Sequence, residues 1–146
     1  MILKIFKAVW FLSLLACMAV FFYIYASLPE TVLVGEWQPA LYASRDTVFY
    51  ATLAVIALIN TLVFAFMKVF GPNEEQFSTW FFGQIILLNF FFSIAIGFIN
   101  LLNSGEKFAY ERLGVVIYGS VLLIIIWALS WPVYSISRKV LNKPAV

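Results

Sequence analysis

Histidine is absent from the 146 residues, cysteine occurs once, and charged residues make up only 11% of the chain. Without histidine the chain lacks the usual haem ligand, any imidazole metal ligand and every Ser–His or Cys–His nucleophile pair. Cys17 alone cannot form an internal disulfide. We therefore expect no bound cofactor, no metal and no enzymatic activity.

The acidic residues are also few, and they lie between or beside the apolar stretches. Glu74 and Glu75 are adjacent, and a pair of carboxyl groups can act as acid and base. Their position before a predicted helix favours a simpler interpretation, because acidic side chains stabilise the positive end of the helix dipole.

Long apolar runs are what the chain does contain. Hydrophobic residues make up 64% of it, and the mean hydropathy is +1.01. A spanning helix needs about 20 apolar residues, and four segments qualify: residues 5–26, 48–70, 79–102 and 114–136. We predict an all-α fold, a four-helix transmembrane bundle that forms a single integral membrane domain over residues 1–146. Pro132 is expected to bend or end the last helix.

The basic residues predict the orientation of this bundle. Six of the nine lie at the termini or after the second helix (Lys4, Lys7, Lys68, Arg138, Lys139, Lys143), against Arg45, Lys107 and Arg112 on the other side. Because Lys and Arg favour the cytoplasmic side, both termini are expected in the cytoplasm, with a bacterial inner membrane as the location. Basic residues at membrane edges do not indicate a nucleic-acid partner.

No charged side chain lies in the middle of a predicted span, but asparagines do. If helices two and three form a hairpin that turns near residues 73–75, Asn60 and Asn89 lie at the same depth. We predict that they hydrogen-bond, directly or through water. The alternative is a polar constriction for a small solute.

Small residues recur along the same two helices, and we predict that these two narrow faces meet. They are Ala57, Thr61 and Ala65 in helix two, and Asn89, Ser93 and Gly97 in helix three. Bulky phenylalanines on helix three are expected to face lipid or another subunit. Trp10, Trp80, Trp131, Tyr23 and Tyr25, near the span ends, are interpreted as interfacial anchors.

The segment SLPETVLVGEWQPALYAS, residues 27–44, is the longest that a membrane would not accommodate. We predict a short extended outer loop between helices one and two, and a loop of this length is often functional. One interpretation is a cap with Val32, Val34, Trp37 and Leu41 packed onto the bundle. The other is a partner-binding surface that includes Pro29, Val32, Val34, Trp37 and Pro39.

Residues 5–70 also resemble a known family. A spanning helix, Leu28-Pro29, a short apolar run, Gly35, and Ser44-Arg45 before a second helix are similar to the opening module of SdpI-type membrane proteins. That family carries a characteristic histidine, which is absent here, and Val34 stands near its place. The resemblance implies an immunity or signalling protein that binds a partner.

The sequence thus favours a non-enzymatic accessory or scaffold subunit that binds membrane lipid and a larger membrane complex, such as a respiratory, secretion or transport assembly. The alternative from another class is a small-solute transporter or channel formed by oligomerisation. That alternative needs a polar path through the membrane, and Asn60 with Asn89 would be its start.

Overall fold

The computed structural model describes residues 1–35, 38–70, 75–105 and 110–141. Its elements are α1 (Ile2–Ser27), β1 (Thr31–Gly35), β2 (Leu41–Ser44), α2 (Arg45–Phe70), α3 (Glu75–Asn103) and α4 (Tyr110–Leu141). All four helices are long and apolar enough to cross a membrane. The protein is therefore mostly helical and has the character of an integral membrane protein, as predicted.

Each helix extends beyond the predicted span, because polar residues at the span ends continue the helical turns. Pro132 lies inside α4, which continues for nine more residues to Leu141, so of the two expected effects, a bend or an end of the helix, the end does not occur. Recognisable signals set other boundaries. The Ser44 hydroxyl accepts the Thr47 backbone N–H at 3.1 Å and caps α2, and Gly105, with φ of 72°, follows the end of α3.

The loop after α1 forms a β-hairpin, although its sequence predicted only one extended run. β1 and β2 pair antiparallel, with Val32 opposite Ala43 and Leu33 opposite Tyr42, and a register shift follows between Leu33 and Gly35. The hairpin lies at the ends of α1 and α3 and the start of α2, which we call the hairpin end. The opposite end, where α1 and α3 begin, is called the terminal end.

α3 is the central helix, since α1, α2, α4 and β1 all pack against it. Two apolar clusters lie along it. One, near the hairpin end, includes Cys17, Phe21, Val32, Ile56 and Ile96. The other, nearer the terminal end, is built on Val63, Phe82 and Ile85. Phe82, expected to face lipid or a subunit, is only 3% exposed.

The position of α4 differs from the four-helix bundle that the sequence predicted. Among the described helices, the α4 backbone approaches only α3. None of its apolar span is fully buried. The physical reason is that α1, α2 and β1 already cover the other sides of α3. The architecture is a packed three-helix unit with a fourth helix along one side.

Candidate functional site

A polar cluster joins α1, α2 and α3 between the two apolar clusters. Asn60 Nδ2 donates to Asn89 Oδ1 at 2.9 Å, and Asn89 Nδ2 donates back to Asn60 Oδ1 at 3.1 Å. Trp10 Nε1 donates to Asn60 Oδ1 at 2.9 Å, and Asn89 Nδ2 also donates to Ser13 Oγ at 3.1 Å. The structure thus brings the two predicted asparagines together and adds two residues of α1.

The amide hydrogens of both asparagines are fully used. The second hydrogen of Asn60 Nδ2 goes to the backbone carbonyl of Ile56 at 2.9 Å. Asn60 is 5% exposed and Asn89 is fully buried. Interhelical bonds of this kind contribute roughly 0.6–2 kcal/mol in membranes. With every amide hydrogen donated within the protein, the pair stabilises the helix packing and has no donor left for a solute.

Trp10 was interpreted as an interfacial anchor, but its indole N–H points to the polar cluster. Its ring packs against Phe64 and Phe82, with centroids 5.8 and 5.5 Å away. The indole therefore spans the gap between α1 and α2 and carries a hydrogen bond across it. No periodicity in the sequence indicated this role, because a tryptophan near a span end is equally typical of an anchor.

The small-residue faces do not meet, contrary to the prediction. Ala57, Thr61 and Ala65 are exposed, since Ile56, Asn60 and Val63 are the residues of α2 that turn inward. Ala57 and Thr61 each follow an inward residue by one position, which is about 100° around a helix, and Ala65 follows Val63 by two. On α3, Ser93 and Gly97 are half-buried. Ser93 Oγ donates to the Asn89 carbonyl at 2.9 Å, and the space a Cβ of Gly97 would occupy is open.

The hairpin is fixed to the helices through β1. Val32 is fully buried in the apolar cluster, and Val34 packs against it. Leu41 is 50% exposed, so the expectation that it packs onto the bundle was wrong. Its strand, β2, forms the outer side of the hairpin. Of the remaining candidate loop residues, Pro29 and Pro39 are exposed, and Trp37 lies outside the described residues.

Asn103 at the end of α3 blocks one edge of the hairpin. Its Oδ1 accepts the Leu33 N–H at 2.9 Å, and its Nδ2 donates to the Leu33 carbonyl at 3.0 Å and to the Ile99 carbonyl at 2.7 Å. The side-chain amide therefore pairs with Leu33 as a neighbouring strand would. Sequence reasoning missed this residue, which was interpreted only as part of a helix stop.

The other edge of the hairpin is open as far as the described residues are concerned. In an antiparallel sheet, residues opposite each other alternate between pairs that hydrogen-bond to each other and pairs that do not. In a pair that does not, the N–H and C=O of both residues point away from the partner strand. The N–H and C=O of Leu33 both bond to Asn103 and not to the opposite residue, Tyr42. The N–H and C=O of Tyr42 therefore point to the outer edge of β2. Neither group has a hydrogen bond outside the hairpin to any described residue. The Tyr42 side chain is 60% exposed, so the edge is accessible.

A pair of tryptophans joins α4 to α3 near the terminal end. Trp80 Nε1 donates to the Trp127 carbonyl at 2.7 Å, and Trp127 Nε1 donates to the Trp80 carbonyl at 2.9 Å. Gly83 makes room for this arrangement. A Cβ there would lie 2.7 Å from Trp127 Cε2 and 2.9 Å from Nε1. We call Trp80, Gly83 and Trp127 the tryptophan clasp.

Beside the clasp, an open groove of about 700 Å³ lies between the start of α1, the first turns of α3 and residues 127–134 of α4. Its walls include Trp80, Trp127, Trp131 and Tyr134, and Glu75 and Gln76 lie along its rim. We call these six residues the aromatic groove. Tyr134 Oη donates to Gln76 Oε1 at 2.9 Å and holds the two sides together.

Within residues 1–35, 38–70, 75–105 and 110–141, no group of three His, Cys, Asp or Glu residues is placed to hold a metal ion. No protein-family model, curated protein or solved structure matches the chain. The candidate functional features described above are the open edge of β2, the polar cluster and the aromatic groove.

Proposed function

We propose that this chain is a non-enzymatic accessory subunit that binds a larger membrane protein complex. The observation that carries the proposal is the difference between the two edges of the hairpin. Proteins generally block the exposed edge of a sheet, because its free backbone groups pair with other chains. Here Asn103 blocks β1, while β2 presents the Tyr42 backbone groups and the exposed Leu41 and Tyr42 side chains.

A partner segment in extended conformation would pair with this edge. Main-chain hydrogen bonds supply affinity in such strand addition, and neighbouring side chains supply specificity. The hairpin is suited to this role because Val32 and Asn103 hold β1 against the helices, so little ordering is needed on binding. The exposed apolar surface of α4 provides a second area for contact within the membrane.

The proposed setting is a bacterial inner membrane with both termini in the cytoplasm and the hairpin on the outer side. The excess of basic residues at the terminal end supports this orientation. The resemblance of residues 5–70 to SdpI-type proteins supports binding to a partner as well. The transporter alternative is weaker, because the amide hydrogens of Asn60 and Asn89 are used within the protein.

The test is native mass spectrometry of the tagged protein extracted from its own membrane in mild detergent. We expect larger membrane proteins in stoichiometric amounts. A monomer or a pure homo-oligomer would contradict the proposal, and liposome transport assays would then follow.

Two variants of the same residue test the edge of β2. Tyr42→Pro removes the outward N–H without removing a bond of the hairpin, since proline is tolerated where an edge N–H faces outward. Tyr42→Ala removes the side chain and keeps the N–H. We expect Tyr42→Pro to abolish partner binding and Tyr42→Ala to weaken it only in part. If Tyr42→Pro retained the partner, binding would belong to another surface and the edge of β2 would no longer support the subunit proposal.

A further inference from the structure

The aromatic groove has the size and composition of a ligand site. Small-molecule sites are typically clefts of about 300–1,000 Å³, mainly apolar, with a few polar groups that fix orientation. The groove, at about 700 Å³, combines four aromatic walls with Glu75 and Gln76. It lies where apolar helices reach their polar ends, so a membrane lipid could enter it from the side.

Glu75 gives the groove a preference for a cation. Among the described residues that line the groove it has the only charged side chain, and its Oε1 lies 3.8 Å from the ammonium of Met1, which lines the groove as well. That contact shows that an alkylammonium group reaches the carboxylate. The pair is 96% and 64% exposed, and exposed ion pairs contribute little. A ligand ammonium can therefore share or replace this contact.

The aromatic walls favour the same charge. Both indole N–H groups of the clasp are bound to backbone carbonyls, which fixes the rings of Trp80 and Trp127. The Trp131 ring lies against Trp80 with centroids 5.9 Å apart, and the Tyr134 ring lies 5.8 Å from Trp131. Faces of tryptophan and tyrosine attract ammonium groups within about 6 Å.

The groove also has free donors for an anion. Because Gln76 accepts from Tyr134 through Oε1, both hydrogens of its Nε2 remain, and that atom has no partner among the described residues. The Trp131 indole N–H likewise has none there. Backbone N–H groups in the first turn of α3 have no acceptor within the helix. These N–H groups can donate to the phosphate oxygens of a ligand whose ammonium group lies against Glu75.

We propose that the aromatic groove binds the headgroup of an ethanolamine phospholipid. Its primary ammonium lies against Glu75 and the aromatic faces, and its phosphate accepts hydrogen bonds from Gln76 and Trp131. A primary ammonium fits better than a choline group, because it can donate hydrogen bonds to the carboxylate. A glycerol headgroup offers no cation. This site is independent of the partner-binding edge of β2.

The test uses the full chain in a non-phospholipid detergent, with dihexanoyl phosphatidylethanolamine, phosphatidylglycerol and phosphatidylcholine titrated separately and bound lipid counted by native mass spectrometry. We expect ethanolamine lipid to bind about tenfold more tightly than glycerol lipid. Glu75→Gln should bring the two to near parity. Glu30→Gln, a carboxylate at the hairpin end, is the matched control and should keep the preference.

Equal binding of the three lipids would overturn the proposal, as would an unchanged preference in Glu75→Gln or an equal loss in Glu30→Gln. Thermal unfolding of each variant checks that the helices remain folded. Soluble phosphoethanolamine distinguishes the source of the headgroup. We expect it to bind at least about tenfold more weakly than the lipid, and equal binding would overturn the lipid assignment.

Discussion

Trp80 and Trp127 each donate an indole N–H to the backbone carbonyl of the other, at 2.7 and 2.9 Å. The two bonds join one residue of α3 to one residue of α4 with both indole donors satisfied. α4 has no other helix backbone beside it among the described residues. The clasp is therefore the main polar contact that fixes α4 at the terminal end.

Gly83→Ala is predicted to weaken the attachment of α4. The added methyl group would overlap the indole of Trp127, and overpacking of this kind costs roughly 1–3 kcal/mol. The measurement is the free energy of unfolding in mixed micelles. Gly97→Ala is the matched control, since its Cβ would enter open space. It should leave stability unchanged or raise it by up to about 1 kcal/mol. Equal losses in both variants would contradict the role of the clasp.

Asn60→Leu is predicted to destabilise the three-helix unit by roughly 1–3 kcal/mol, because the Trp10 N–H and the amide of Asn89 lose their partner in a buried place. Asn89→Leu should cost a similar amount. The double variant should cost less than the sum, since residues in direct contact are coupled. The free energies of unfolding of the wild type, the two single variants and the double variant give the coupling energy between the two asparagines. Simple additivity would mean that the two asparagines act separately.

Asn103→Ala is expected to loosen the hairpin, because both backbone groups of Leu33 lose their partner. Hydrogen exchange of the Leu33 amide should accelerate about tenfold. Asn100→Ala provides the comparison, since the Asn100 side chain bonds to Ser27 and not to β1. If the Leu33 backbone N–H exchanged at the wild-type rate in Asn103→Ala, the side-chain amide of Asn103 would not be what holds β1.

Cys17 is predicted to resist a membrane-permeant maleimide in the folded protein, because its side chain is fully buried. It should react after denaturation. Ala26→Cys in a Cys17→Ala background places a thiol at an exposed position at the hairpin end of α1, where contact with water allows the reactive thiolate to form, and we expect that thiol to react while the protein is folded. The reverse pattern would mean that α1 is rotated from its described orientation.

Composition predicted four membrane helices because spanning length and hydropathy are properties of single segments. The depth of Asn60 relative to Asn89 followed from the short connection between α2 and α3. Which side of a helix turns inward was less predictable. Ala57, Thr61 and Ala65 fit a packing face as well as Ile56, Asn60 and Val63 do, since apolar residues surround the whole helix.

Several contacts that the sequence did not indicate join a side chain to a distant backbone. Asn103 bonds to Leu33, and Trp80 and Trp127 bond to each other's carbonyls. Every residue has a backbone carbonyl, so no residue pattern marks the acceptor. The second strand was missed for a related reason, because the pairing of β2 depends on β1 being held against α3.

The polar cluster has a consequence for biosynthesis. Its hydrogen bonds come from α1, α2 and α3 alone, and these helices precede α4 in the chain. During synthesis the cluster can therefore close before α4 has left the ribosome. α4 would then add to an already ordered surface on α3, so its arrival is a separate, late step of membrane insertion.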